Sequence, residues 1–369
     1  MARRMNKTCD RYYMSLALDL ALRGTGMTAP NPKVGCVIVR DRRVTGFGYH
    51  RACGLAHAEV EALNMAGEQA RGATLYVNLE PCSHFGKTPP CTEAIISAGI
   101  SRVVAAMQDP DPRVSGRGAA RLREAGVEVD IGPCRTSAEE INKGFVMRVK
   151  RQRPWVTLKA AMTLDGKIAQ EDGWSKWISN EWSRTRAHLL RSGHDAVLVG
   201  VGTVLADDPG LNVRDVSGRA PRAVILDSSL RTPPGAHVIR NGNALVIGAK
   251  EANPRRAKDL EKAGASVILL PSEEGRPRLP EVLEYLGGLG VNDLLVEGGS
   301  TILASFLDER LFDGVSLFVS PGFLGKGRPL SGDSLQRDLE NAFRVRIQKT
   351  VLVEGDLWIE GTASCLQDS

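Results

Sequence analysis

Four side chains early in the sequence have the types and spacing of a metal centre. They are His57 and Glu59 in "HAE", Cys82 closing "LEPC", and Cys91 closing "PCSHFGKTPPC". A disulfide, a redox pair, a metal site and two unrelated core thiols could each put cysteines nine positions apart. One imidazole and two thiolates make a zinc set with three protein ligands, the count that leaves a fourth position for water. Zinc lowers the pKa of bound water to about 7, so hydroxide is at hand at neutral pH. A carboxylate two residues from the histidine, not itself a ligand, can then carry protons to and from a reacting group. His84 is a candidate fourth ligand; it would close the site and leave Glu59 without a task.

The elements around these residues have to bring them together. His57 and Glu59 open a helix in "HAEVEALNMAGEQARG" that ends at Gly72. Cys82 ends the buried strand "ATLYVNLEPC", and Cys91 opens the short helix "CTEAIISAGI". Helix N-termini favour anions and lower thiol pKa values, which prepares thiolates for a metal. An isolated H-A-E is common on helix faces, and cysteines in an α/β core are often inert. The argument rests on all four occurring in order, each at an element end. Around them lie a helix at 10–24, a strand at Val34–Arg40, a second strand running to His50, the strand "RVVAAMQDP", and the helix–turn–strand "GRGAARLREAGVEVDIG". This alternation over roughly the first 145 residues predicts a three-layer α/β domain. The basic run "VMRVKRQRPW" interrupts it and reads as a solvated boundary. The expected division is a domain over 1–147, a linker over 148–153 and a second domain over 154–369.

The second half is strand-rich, with "WVTLKAAMT", "DAVLVG", "RAVILDSS", "NALVIGA", "SVILLP", "DLLVEGG" and "GVSLFVSP" separated by helical segments. It closes on "FRVRIQKTVLVEG" and "DLWIEGTA", an expected hairpin. "LVEGGSTILASFL" reads as strand, glycine turn and helix, which offers free N–H groups and a dipole to a phosphate; a simply capped helix is the structural alternative. "VGVGTVLADDPGLNVR" fails as a dinucleotide fingerprint, because Leu205 stands at the third glycine position and "ADDPG" reads as a loop. "GWSKWIS" holds two tryptophans, either ligand contacts or core.

Composition narrows the class. In 369 residues, 42% are hydrophobic and 25% charged, with a net charge of +5. So mild an excess fits a small anionic ligand better than nucleic acid. The basic start has no apolar segment behind it, arguing against a secretory signal, and no apolar run approaches membrane-spanning length. Seven scattered cysteines, an odd number, argue for a reduced, cytoplasmic protein rather than a disulfide framework.

Zinc deaminases carry H-x-E followed by P-C-x-x-C; here the gap is C-x8-C. "PNPKVGCVIV", "HAEVEAL" and "LEPCSHFGKTPPC" together resemble the deaminase domain of the bacterial bifunctional riboflavin-biosynthesis deaminase–reductases. The long loop with its inner S-H-x-G-K-T-P-P is characteristic of that family. The resemblance implies a cytidine-deaminase-like α/β/α domain that removes ammonia from a diamino-pyrimidinone ribosylamine phosphate, with one zinc on His57, Cys82 and Cys91. Glu59 would be the proton shuttle, and Asn31, His50, His84 and Lys87 would line the substrate pocket. Asp111 stands where the family commonly has Asn, which weakens any role for that position.

"LKAAMTLDGKIA", "SKWIS", "LLRSG", "VGVGTVLADDPGLNVR", "ILDSS" and "VEGGSTI" resemble, in order, the same family's reductase domain. That implies a dihydrofolate-reductase-like α/β fold that binds NADPH without the dinucleotide glycines. Carried over by position, Ala161, Trp177, Thr203, Asp207, Ser228 and the run Gly299, Ser300, Thr301, Ile302, Leu303, Ala304, Ser305 would contact the cofactor. Lys159, Ser175, Arg191, Leu211, Arg214 and Glu297 would face the substrate, with Arg191 and Arg214 suited to its phosphate. The reaction implied is hydride transfer to the ribosyl anomeric carbon, giving a ribityl chain, with Lys159 or Glu297 moving the proton. The partners expected are phosphorylated pyrimidines and further copies of the chain, as a dimer or tetramer, with neither nucleic acid nor membrane. Two competing readings are a nucleoside or nucleic-acid deaminase with an unrelated accessory domain, and a non-enzymatic protein with structural zinc.

Overall fold

The short apolar runs between residues 34 and 131 pair into one mixed sheet. This is seen in a computed structural model of the chain, which describes residues 7–83, 89–112, 114–332 and 340–363. The strands are β1 (Gly35–Arg40), β2 (Arg43–Tyr49), β3 (Thr74–Val77), β4 (Arg102–Ala105) and β5 (Glu128–Ile131), in the order β2-β1-β3-β4-β5. β1 pairs antiparallel with both β2 and β3, whereas β3, β4 and β5 run parallel. The connections between the parallel strands are helical. α2 (Ala58–Ala66), α3 (Cys91–Ser97) and α4 (Arg117–Glu124) cover one face, where Ala62, Leu63, Ile95 and Leu122 pack on Ile38, Leu75, Val77 and Val103. α1 (Lys7–Leu22) covers the other with Met14, Ala17 and Leu18 against Val37, Val39, Tyr76 and Val104. Successive strand residues thus alternate between two apolar layers, as a doubly covered sheet requires. The expected three-layer α/β/α arrangement is present.

Two further helices, α5 (Arg135–Ile141) and α6 (Lys143–Arg151), complete the α1 face and were not expected. The basic run read as a linker is mostly α6. Phe145 is buried in the α1-side core while the cations of this run lie on the partly exposed side of the helix. The helix ends at Gln152, which is left-handed at φ 58°. The chain divides there into two compact units, Met1–Gln152 and Arg153–Ser369.

Two local features hold the first unit's site-bearing elements in place. Gly46 and Gly48 on β2 let α2 lie close; a Cβ on Gly48 would stand 2.7 Å from the Ala58 carbonyl oxygen. A buried ion cluster ties α1 to the sheet. Arg102 grips both oxygens of Asp10 at 2.9 Å, Tyr76 donates to Asp10 at 2.8 Å, and Arg102 Nε reaches Asp130 at 2.9 Å.

In the second unit seven strands run parallel. In sheet order they are Ser266–Leu270, Ala244–Ala249, Arg222–Leu226, Ala196–Gly200, Asp293–Glu297, Trp155–Thr163 and Gly314–Ser320. The expected terminal hairpin, Val345–Val353 with Asp356–Ala363, adds antiparallel at the Gly314–Ser320 edge. Helices Leu279–Gly288 and Ser300–Asp308 cover one face, and Val201–Asp207, His237–Arg240 and Pro254–Lys262 the other. The near-continuous apolar strands follow from this double cover. Of the expected loop "ADDPG", Ala206 and Asp207 instead close a helix that begins at Val201, directly after the strand. Only Asp208–Gly210 remains loop. Among the described residues no helix is long and apolar enough to cross a membrane.

Candidate functional site

His57 sits at the point where the chain turns into α2, its backbone extended at φ −74° and ψ 159°. Cys91 is the first residue of α3, and Cys82 lies in the turn after β3. The start of α3 folds over Cys82. The Cys91 N–H donates to the Cys82 Sγ at 3.4 Å, and the Thr92 N–H donates to the Cys82 carbonyl at 3.2 Å. His57 Nδ1 comes within 3.2 Å of the Cys91 Sγ and 3.7 Å of the Cys82 Sγ. Among the described residues these three form the one group whose nitrogen and sulfur donors converge, all within 4.8 Å of one another.

The electrostatics suit a cation. The Cys82 thiol is drawn well below its ordinary range by a hydrogen bond from Cys91 and, against burial, by His57. Cys91 is pushed up by the same bond and by burial. Glu59, the second residue of α2, is 4% exposed and its Oε2 is buried with no partner. Burial, then the nearby Cys82 charge, pushes its carboxyl up to about 7. Two sulfurs, an imidazole and an orphaned carboxylate oxygen fit a soft divalent ion with a proton carrier beside it.

Asn31 and His50 stand next to this centre. The His50 ring is 5.5 Å from that of His57, edge to face. His50 Nδ1 can only donate to the Ala56 carbonyl, at 3.1 Å, so its Nε2 accepts from the Asn31 amide at 3.0 Å. Burial lowers the His50 pKa and keeps this neutral form. His84 and Lys87 lie outside the described residues, as does any test of His84 as a fourth ligand.

One organising residue received no role from the sequence. Glu80, in "LEPC", accepts backbone N–H groups from Ala119 and Gly116 at 2.9 Å and from Asp109 at 3.3 Å. It fastens the loop after β3 that carries Cys82 to the start of α4. Gly118 makes that approach possible, since any Cβ there would collide with the Pro81 carbonyl oxygen. A buried carboxylate just after a strand was the only signal of it.

In the second unit a cleft of about 1540 Å³ opens where the parallel strands end, the usual ligand position on such sheets. It is lined by Lys159, Ser175, Arg191, Leu211, Arg214 and Glu297 of the expected substrate set. From the expected cofactor set it is lined by Ala161, Trp177, Thr203, Asp207, Ser228, Gly299, Ser300, Thr301, Ile302 and Ser305. Leu303 and Ala304 do not line it. They are 1% and 5% exposed on the buried side of helix Ser300–Asp308. Trp174 and Trp177 are exposed at 59% and 69%, which rules out the core alternative for that pair.

Arg191 lines the cleft while engaged by a carboxylate. It forks onto both Glu297 oxygens, at 2.6 and 2.8 Å, and Lys159 Nζ stands 3.5 Å from the same carboxylate. Burial pushes Glu297 up, but the Arg191 and Lys159 charges outweigh it and hold the carboxyl down to about 2. Asp207 is paired with Lys176 at 3.6 Å. His188, which the sequence did not single out, also lines the cleft.

Comparison with known proteins places both halves. Residues 7–107 match the family model described as the cytidine and deoxycytidylate deaminase zinc-binding region, and residues 154–357 match that of the RibD C-terminal domain. Together they define a deaminase with a zinc-binding region joined to a reductase. A riboflavin biosynthesis protein RibD of Aquifex aeolicus is 46% identical over 356 residues, 96% of this chain and 99% of its own. One of Escherichia coli is 41% identical over 86% of this chain and 89% of its own. A solved RibD structure from Acinetobacter baumannii superposes with a TM-score of 0.90 at 36% identity, covering 98% of this chain and 100% of its own. The Thermotoga maritima structure titled diaminohydroxyphosphoribosylaminopyrimidine deaminase/5-amino-6-(5-phosphoribosylamino)uracil reductase gives 0.86 at 36%, over 97% and 99%. The chain belongs to the RibD family and is a bifunctional deaminase and reductase of riboflavin biosynthesis.

Proposed function

We propose that the first unit converts 2,5-diamino-6-(5-phosphoribosylamino)pyrimidin-4-one and water into the corresponding uracil and ammonia. The second unit then reduces the ribosyl group to ribityl with NADPH, giving 5-amino-6-(5-phosphoribitylamino)uracil. The observation that carries the first step is Glu59, a buried carboxyl with an unpartnered oxygen beside three converging metal donors. His57, Cys82 and Cys91 would hold zinc, which supplies acidified water when bound. Burial raises the Glu59 carboxyl, which favours its taking up a proton. Its part is to accept the proton of the attacking water and deliver protons to the ring nitrogen and the leaving amine. Asn31 and His50 present a fixed neutral pair to the pyrimidine, His84 is assigned to the same pocket, and Lys87 to the side of the phosphate.

In the second unit a bound nicotinamide supplies hydride to the anomeric carbon. Ser228, Thr203, Ala161, Trp177 and the start of helix Ser300–Asp308, all lining the cleft, would hold the cofactor. Glu297 stays ionised beside Arg191 and Lys159, so it orients rather than donates. The Lys159 ammonium is the proton source we assign. The exposed Arg214 takes the substrate phosphate, since the Arg191 fork is already filled. The chain is expected to act as a homo-oligomer in the cytoplasm.

The test supplies the diamino-pyrimidinone phosphate with and without NADPH while following ammonia and NADPH absorbance together. Ammonia release without NADPH, and one NADPH oxidised per ammonia when it is added, is the expected result. Release from cytidine or transfer RNA instead would overturn the proposal.

A further inference from the structure

Arg214 lies on a segment without regular secondary structure, between Asp208 and Asp215. Leu211 and Asp215 within it are left-handed at φ 48° and 64°, conformations that non-glycine residues adopt at a cost. No sheet ladder holds this segment, so other bonds must. Two come from one face of the helix Glu181–Ser192, three residues apart. Arg191 Nη1 donates to the Asn212 carbonyl at 3.3 Å, and the Arg214 N–H donates to His188 Nδ1 at 3.3 Å. His188 is 7% exposed and lines the cleft. Because Nδ1 accepts a backbone N–H, the ring proton must sit on Nε2, which points toward the Asp215 carboxylate at 3.9 Å.

We propose that His188 is a positioning residue of the reductase: its neutral ring fixes the backbone of Arg214 and so aims that guanidinium at the substrate's phosphate. This rests on the reading of Arg214 as the phosphate ligand. Burial, followed by the Arg191 and Arg214 charges, lowers the His188 pKa and favours the accepting form. The imidazole itself does not touch the reacting carbon. Removing it should loosen the arginine without altering hydride transfer.

The full-length enzyme is assayed for NADPH oxidation with the already deaminated ribosylamino-uracil phosphate. His188→Ala is expected to raise KM for that substrate about tenfold, with kcat changed less than twofold and KM for NADPH unchanged. His188→Asn places its amide oxygen where Nδ1 stands and should restore most of the loss. His188→Gln carries its acceptor one bond farther and should not; it replaces the alanine variant if that fails to fold. In the double variant with Arg214→Ala, adding His188→Ala should cost nothing further, because both act through one contact. A tenfold KM effect for Arg214→Ala with none for His188→Ala, a loss confined to kcat, or equal behaviour of Asn and Gln would overturn the inference. No KM effect from Arg214→Ala itself would instead refute the phosphate assignment beneath it.

Discussion

Replacing Glu297 by Gln should destabilise the second unit, and the size can be worked from the site. The carboxylate is 9% exposed and is bound by both nitrogens of the Arg191 fork, with Lys159 alongside. Its pKa falls from an ordinary 4.5 to about 2, despite burial, through those two cations. A drop of about two and a half pH units, at about 1.4 kcal/mol per unit, corresponds to about 3 kcal/mol. Removing one member of a buried ion cluster leaves the others uncompensated, a cost of about 3–5 kcal/mol. The two routes agree. For a unit of this size about 3 kcal/mol lowers the melting temperature by about 6–12 °C, readable by calorimetry at pH 7. Acid supplies a second reading. A carboxyl held low contributes its stability above its unfolded pKa and loses it as the pH falls through its folded one. The gap between wild type and E297Q should therefore be constant above about pH 5 and less than half as large by about pH 3. A shift under about 2 °C at pH 7, or a gap that widens in acid, would refute the reasoning.

Three further outcomes are expected. Glu59→Gln should slow ammonia release by a factor of about 10²–10⁴ while zinc content by atomic absorption stays at the wild-type level; near-normal turnover would remove Glu59 from its role. A chelator strong enough to strip zinc should stop ammonia release yet leave NADPH oxidation by pre-deaminated substrate intact, and a parallel fall of both rates would count against separate sites. Gly118→Ala should lower zinc affinity by forcing the Pro81 carbonyl, and with it Cys82, out of place; unchanged affinity in a competition titration would show that the approach of α4 does not set the ligand.

The metal centre was legible because its residues are tied to element ends, and element ends are marked by local composition. "HAE" before a helical pattern and "EPC" after an apolar run need no tertiary knowledge. The cofactor run is less legible because the family resemblance gives 299–305 as one unbroken stretch. A helix turns 100° per residue, so a contiguous stretch cannot all face one ligand. Leu303 and Ala304 fall on the buried side of helix Ser300–Asp308. The basic run near residue 150 concealed α6 because its cations dominate the composition, while Phe145, with Val146 and Val149 packed beside it, anchors it in the core. Arg191 and His188 show the deepest gap. Their partners, Glu297 and the backbone of Arg214, are 106 and 26 residues away in the chain, and no local pattern announces such pairings.

His57 is held by the start of α2 and Cys91 by the start of α3, and both helices are seated on one apolar core. The site is therefore a socket rather than a clasp. Its occupant should be exchangeable in the folded protein, so that a spectroscopically active cobalt could replace the native metal and report directly on what enters the remaining corner.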